Sequence, residues 1–246
     1  MVGLDPFPDR VAEPESFCKG IVDAVAPYAV AVKPQSAFFE VRGWKGVRAF
    51  ESVCDYARAA GLLVIADVKR GDIASTAQAY ADAVLRHADA ATVNAYMGGD
   101  SLEPYLEKCR EGAGIFVLVK TSNPGGGDFQ DARLADGRRL WELVAEHVDR
   151  WGADLLGERG LSSVGVVMGA TYPQEVAEAR ALLPRTPFLL LGVGAQGATV
   201  VDCAPAFSSG PAAGLVSTSR AVIFADDPAA AAEQLAREVW DVAQAA

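Results

Sequence analysis

About eight short apolar runs recur along this chain, each closed by a charged, polar or glycine-rich step and most followed by a helical pattern. They cover residues 2–5, 28–32, 62–66, 90–94, 114–119, 164–168, 187–193 and 214–217, with helical stretches expected over 15–26, 46–60, 140–157 and 228–245. Strands alternating with helices favour a parallel sheet, because two parallel neighbours need a long crossover between them. A closed barrel and a doubly wound sheet both satisfy that pattern. The polar residues favour the barrel, since they gather just after the strands, where a barrel builds its active site. The expected fold is therefore α/β, a single-domain (β/α)8 TIM barrel over residues 1–246, with no linker or low-complexity tract dividing it.

Composition narrows the partners. With 51% hydrophobic residues, the chain can cover both faces of a parallel sheet. A formal net charge of −10 argues against nucleic acid as the main partner, because phosphate backbones reward a basic surface. No apolar run reaches membrane-spanning length and no signal-peptide pattern opens the chain, so no membrane partner and a cytoplasmic setting are expected. Cys18, Cys54, Cys109 and Cys203 are scattered, without metal-type spacing, and read as reduced thiols. His87 and His147 fall in helical stretches and pair with no nucleophile.

Two groups of residues carry chemistry. After the third apolar run comes Asp67-Val68-Lys69-Arg70-Gly71-Asp72. Residues two apart on a strand share a face, so Asp67 and Lys69 point the same way if the strand continues. With Lys33, at the end of the second run, and Asp72, they form a charged array suited to holding a buried lysine cationic and aiming it at developing negative charge. The second group is Gly192-Val193-Gly194-Ala195-Gln196-Gly197 together with Ser217–Arg220. Glycines let backbone N–H groups approach an anion, Arg220 supplies paired donors, and the last two strands of a barrel are its usual phosphate site. Gly125-Gly126-Gly127, after the fifth strand, reads as a mobile loop, either a moving lid or a plain flexible connection.

These residues resemble the orotidine 5′-phosphate decarboxylase family, in particular its bacterial branch with longer loops. The resemblance runs through Gly3-Leu4-Asp5-Pro6, Lys33-Pro34-Gln35-Ser36-Ala37-Phe38-Phe39-Glu40, Asp67-Val68-Lys69-Arg70-Gly71-Asp72-Ile73, Thr92-Val93-Asn94-Ala95-Tyr96-Met97-Gly98, Thr121-Ser122-Asn123-Pro124-Gly125, Gly194-Ala195-Gln196-Gly197 and Ser219-Arg220. It implies that Lys69 protonates C6 of the pyrimidine as CO2 leaves, with Asp67 beside the departing carboxylate. It also implies that Lys33 and Asp5 contact the ribose region, Ser122 the pyrimidine edge, and Gln196, Gly194 and Arg220 the phosphate. Asp72, Ile73 and Thr76 would enter the neighbouring subunit's site, giving a homodimer with shared active sites. The substrate implied is orotidine 5′-monophosphate, with no metal and no organic cofactor.

Two other readings share these residues: a metal-dependent sugar-phosphate decarboxylase or aldolase of the same superfamily, and a catalytically silent nucleotide-binding protein. Two departures from the family pattern carry expectations of their own. Leu191 stands where many members have proline, which predicts a looser phosphate turn, and a first strand that starts at residue 2 leads to the expectation of an uncapped, less stable barrel end.

Overall fold

A computed structural model describes residues 1–194 and 196–246. Eight parallel strands stand in sequence order: β1 (Val2–Leu4), β2 (Ala31–Pro34), β3 (Leu63–Arg70), β4 (Ala90–Val93), β5 (Gly114–Lys120), β6 (Val164–Gly169), β7 (Phe188–Leu191) and β8 (Gly214–Val216). The two edges meet. Gly3 N–H donates to the Thr218 carbonyl at 2.8 Å and Thr218 N–H to that of Met1 at 3.3 Å, so the sheet closes on itself. Closure leaves no free strand edge and defines the (β/α)8 barrel expected from the alternation.

The connections hold ten helices among the described residues: α1 (Pro14–Val25), α2 (Ala37–Glu40), α3 (Trp44–Ala59), α4 (Ala74–Leu85), α5 (Glu103–Arg110), α6 (Gly127–Gln130), α7 (Leu140–Gly152), α8 (Pro173–Leu182), α9 (Arg220–Ile223) and α10 (Pro228–Ala245). Inside the ring, Ile65, Phe116, Val167 and Leu189 form a buried layer. Phe116 fits there because β6 passes it with Gly165, where a Cβ would lie 2.5 Å from the Phe116 ring. Outside, Val64, Ala66 and Val68 face the helices, so Ile65, Asp67 and Lys69 alternate inward as the period of two requires.

Some boundaries differ from the expected ones, for local reasons. The second strand starts at Ala31 rather than 28, because Tyr28 and Ala29 N–H groups bond back to the Val25 carbonyl and prolong the end of α1. The helix expected over 140–157 stops at Gly152, which packs so closely on Ser162 that a Cβ would come within 2.3 Å of its hydroxyl oxygen. Residues 155–163 instead form a small turn, with Leu156 bridged to Ser162 and Gly160 at φ +75°. β7 ends at Leu191 because Gly192, at φ +101°, turns the chain out of the sheet. β3 runs four residues beyond the expected 66, carrying the charged segment into the barrel mouth.

Candidate active site

A cavity of ≈ 250 Å3 opens at the C-terminal ends of the strands. Its walls come from the ends of β1, β2, β3, β5, β7 and β8, and include Asp5, Lys33, Gln35, Asp67, Lys69, Ser122, Gln196 and Arg220. Seven of these residues were expected at the site; Gln35 was not. It sits where β2 continues toward β3 by a bridge to Asp67, a placement that local sequence does not disclose.

One side of the cavity is a line of charge. Asp67 accepts from Lys33 Nζ through Oδ2 at 2.5 Å and from Lys69 Nζ through Oδ1 at 2.5 Å. Burial by itself pushes the Asp67 carboxyl up, but the two ammonium groups outweigh it and hold the pKa at about 2. The carboxylate is therefore charged at neutral pH. Lys69 is not the buried ammonium expected: its side chain is 38% exposed, against 7% for Lys33 and 2% for Asp67. The reason is its place at the mouth, beyond the layer that covers its two neighbours. Its backbone lies at φ +46°, a left-handed conformation unusual for a side-chain-bearing residue.

The other side is an anion grip. Arg220 lines the cavity and, among the described residues, has no carboxylate within ion-pairing distance. Gln196 reaches in beside Gly192, where a Cβ would lie 2.9 Å from its Oε1. Asp5 Oδ1, Thr218 Oγ1 and Ser219 Oγ are buried without a protein hydrogen-bond partner on the same walls. Buried polar atoms are rarely left so except at functional sites. The sequence placed Thr218 and Ser219 in the anion group only as part of the Ser217–Arg220 segment, on their position after the last strand, and gave their hydroxyls no role of their own.

Four expected site residues do not line this chain's own cavity, three of them (Asp72, Ile73 and Thr76) being the ones expected to enter the neighbouring subunit's site. Asp72 does not join the charged array of its own chain; past the Gly71 turn its Oδ1 accepts the Ile73 N–H at 2.8 Å. Ile73 and Thr76 are exposed at the start of α4. Gly194 does not face the cavity because its N–H is taken by the Ala198 carbonyl at 2.8 Å, and it lines a separate cleft against α10. Ala195, named in the same sequence segment, lies outside the described residues. The segment expected as a mobile loop is folded into a short 3-10 turn, Pro124–Gly126, followed by α6. Its stem is tied by Gln130, which bonds both the N–H and the hydroxyl of Thr121, and by an ion pair from buried Lys120 to Asp131.

No group of three or more metal-ligating side chains converges among the described residues, and none of their helices is long and apolar enough to cross a membrane. A polar cavity with fixed charge on one wall and an unpaired guanidinium on another marks a barrel enzyme for an anionic small molecule. Comparison with known proteins makes that class specific. The chain belongs to the orotidine 5′-phosphate decarboxylase / HUMPS family, whose model matches residues 1–235. It is 43% identical to the orotidine 5′-phosphate decarboxylase of Rhodopirellula baltica, over 91% of this chain and 83% of that one. It is 44% identical to that of Roseiflexus castenholzii, over 100% and 92% of the two chains. In three dimensions it superposes on the OMP decarboxylase of Leishmania donovani with a TM-score of 0.88 and 38% identity, over 99% of this chain and 93% of that one.

Proposed function

We infer that this protein is a carboxy-lyase converting orotidine 5′-monophosphate to uridine 5′-monophosphate and CO2 in pyrimidine biosynthesis, with residues 1–246 acting as one decarboxylase domain. The observation that carries the reading is the Lys33–Asp67–Lys69 line sharing one small cavity with Arg220 and Gln196. In the reaction the bond between C6 and the carboxylate carbon breaks, CO2 departs, and the electron pair stays on C6. The Lys69 ammonium stabilises that charge and then delivers its proton to C6. Solvent restores the proton to the amine. Asp67 keeps Lys69 cationic and aimed; Lys33 balances Asp67 and reaches the ribose side together with Asp5. Fixed charges of this kind act strongly because they need no reorganisation as the carbanion forms. Binding of the distant phosphate by Arg220 and Gln196, with Ser122 on the base, positions C6 over Lys69.

The experiment is direct: the absorbance change of orotidine 5′-monophosphate is followed with purified protein and excess chelator. Turnover supports the reading. Turnover that appears only with a divalent cation added favours the metal-dependent alternative, and binding without turnover favours a silent nucleotide-binding protein. Replacing Arg220 gives a second check. Arg220→Ala weakens uridine 5′-monophosphate about 10- to 100-fold, as expected for a lost charge-assisted pair, and leaves uridine nearly unaffected. Equal weakening of the two ligands refutes a phosphate contact.

The exposure of Ile73 and Thr76 beside Asp72 supports a homodimer in which each protomer lends this segment to its partner's cavity. If so, mixing inactive Lys69→Ala and Asp72→Ala proteins restores up to about one quarter of wild-type activity, since half the dimers are mixed and each holds one intact site. A monomeric mass at assay concentration, or mixed dimers with no recovery, overturns the shared site. The four cysteines are buried and unpaired, which supports a reducing compartment, the cytoplasm.

A further inference from the structure

Thr92 lies in the middle of β4, only 1% exposed, and does not itself line the cavity; it stands behind two residues that do. A hydroxyl so placed is costly unless it is bonded. It uses every bond it can form. Oγ1 accepts from the N–H groups of Val68 and Lys69, each at 3.0 Å, and donates to Asp67 Oδ1 at 2.9 Å. One donor and two acceptor sites are all a hydroxyl has.

Those three contacts fall on an irregular stretch of sheet. β3 and β4 pair in register through Ala66 and Ala91, after which Arg70 pairs with Val93, so four steps on β3 oppose two on β4. Such a bulge re-aims side chains and is common beside active sites. Here it contains both Asp67 and Lys69, and it holds Lys69 at φ +46°, a strained conformation for a residue with a Cβ. Within the bulge, the N–H groups of Val68 and Lys69 turn to the Thr92 side chain rather than to a β4 carbonyl.

We propose that Thr92 is a positioning residue for the decarboxylation: its hydroxyl stands in for the missing strand partner and fixes Asp67 and the Lys69 backbone in the arrangement that presents the Lys69 ammonium to the reacting carbon. The proposal rests on the reading of Lys69 as proton donor. Thr92 touches no ligand, so its loss separates turnover from binding.

The test compares Thr92→Val, which keeps the shape and removes the hydroxyl, with Thr92→Ser, which keeps the hydroxyl and removes the methyl. Turnover of orotidine 5′-monophosphate, the dissociation constant of uridine 5′-monophosphate and the melting temperature are measured for both. Thr92→Val is expected to lose about 10- to 100-fold in kcat, as one lost hydrogen-bond hub at a charged group implies, with product affinity changed by less than about threefold. Thr92→Ser is expected to keep kcat within about threefold of wild type although it melts lower for want of the buried methyl. Near-normal kcat in Thr92→Val, or a kcat that follows melting temperature across both variants, overturns the role. If Thr92→Val does not fold, Thr92→Ser decides: normal kcat at a lowered melting temperature supports the role, and a parallel fall refutes it. A wild-type protein that binds nucleotide but turns none over refutes the functional reading itself, a result distinguishable from failure of Thr92 alone.

Discussion

Lys69→Ala reduces kcat by at least about 10²–10⁴-fold, the range a general acid supplies, while uridine 5′-monophosphate still binds. The split follows from the distribution of charge in the cavity. Lys69 belongs to the wall carrying Lys33 and Asp67, whereas Arg220 and Gln196 stand on the wall built by β7 and β8. Removing the ammonium leaves the phosphate grip in place. It also leaves Asp67 charged, since Lys33 remains at 2.5 Å, so the negative charge forming at C6 meets a carboxylate with neither a facing cation nor a proton source. The loss can therefore exceed that of a simple acid. Lys69→Arg does not restore turnover, because a guanidinium keeps its proton at any working pH. The measurement is single-turnover decarboxylation beside product binding by calorimetry. A Lys69→Ala enzyme within about tenfold of wild type in kcat refutes the assignment.

Arg180→Met lowers the unfolding free energy by about 3 kcal/mol, a loss of roughly 6–12 °C in melting temperature for a chain of this size. Arg180, on α8, is only 5% exposed and has no carboxylate partner among the described residues. Its guanidinium instead donates to four carbonyls: Ala206 at 3.1 Å, Leu183 at 2.6 Å, Thr186 at 2.8 Å and Ala213 at 3.0 Å. The group also lies 3.8 Å over the Phe188 ring. Burial pulls its pKa down to about 10, so it stays charged at neutral pH. Methionine fills much of the volume but strands four carbonyls. Two of them, those of Ala206 and Ala213, belong to the 3-10 turns Val201–Phe207 and Pro211–Ala213, which replace a regular helix between β7 and β8, and the other two belong to the connection from α8 to β7. Arg180→Lys recovers only part of the loss, because an ammonium cannot fork to all four. A thermal melt of Arg180→Met within about 2 °C of wild type contradicts this account.

Much of the barrel was legible because its signals are local. Apolar runs, their spacing and the polar residue closing each one can be read without knowing what lies opposite. The facing of Asp67 and Lys69 followed from the strand period alone, and Arg220 from its place after the last strand. What escaped reading depends on contacts between distant segments. The left-handed backbone at Lys69 exists because β3 slips against β4. The exposure of Lys69 depends on how far β3 projects past the layer inside the ring. Asp72 reads like a member of the array, and only the turn at Gly71 takes it elsewhere. Thr92, which opens one block of the resemblance, has no role that its neighbours in sequence disclose; its hydroxyl bonds to Asp67, 25 positions earlier.

The seam between β1 and β8 has a consequence for how this enzyme responds to its ligand. Asp5 follows one side of that junction and Arg220 the other, 215 residues later in the chain. On the proposed reading a nucleotide spans the join, with its sugar on the first strand and its phosphate on the last. Only the shut ring offers both holds at once. Nucleotide then works as a stitch, favouring the sealed barrel by about 2.7 kcal/mol when present at a hundred times its dissociation constant.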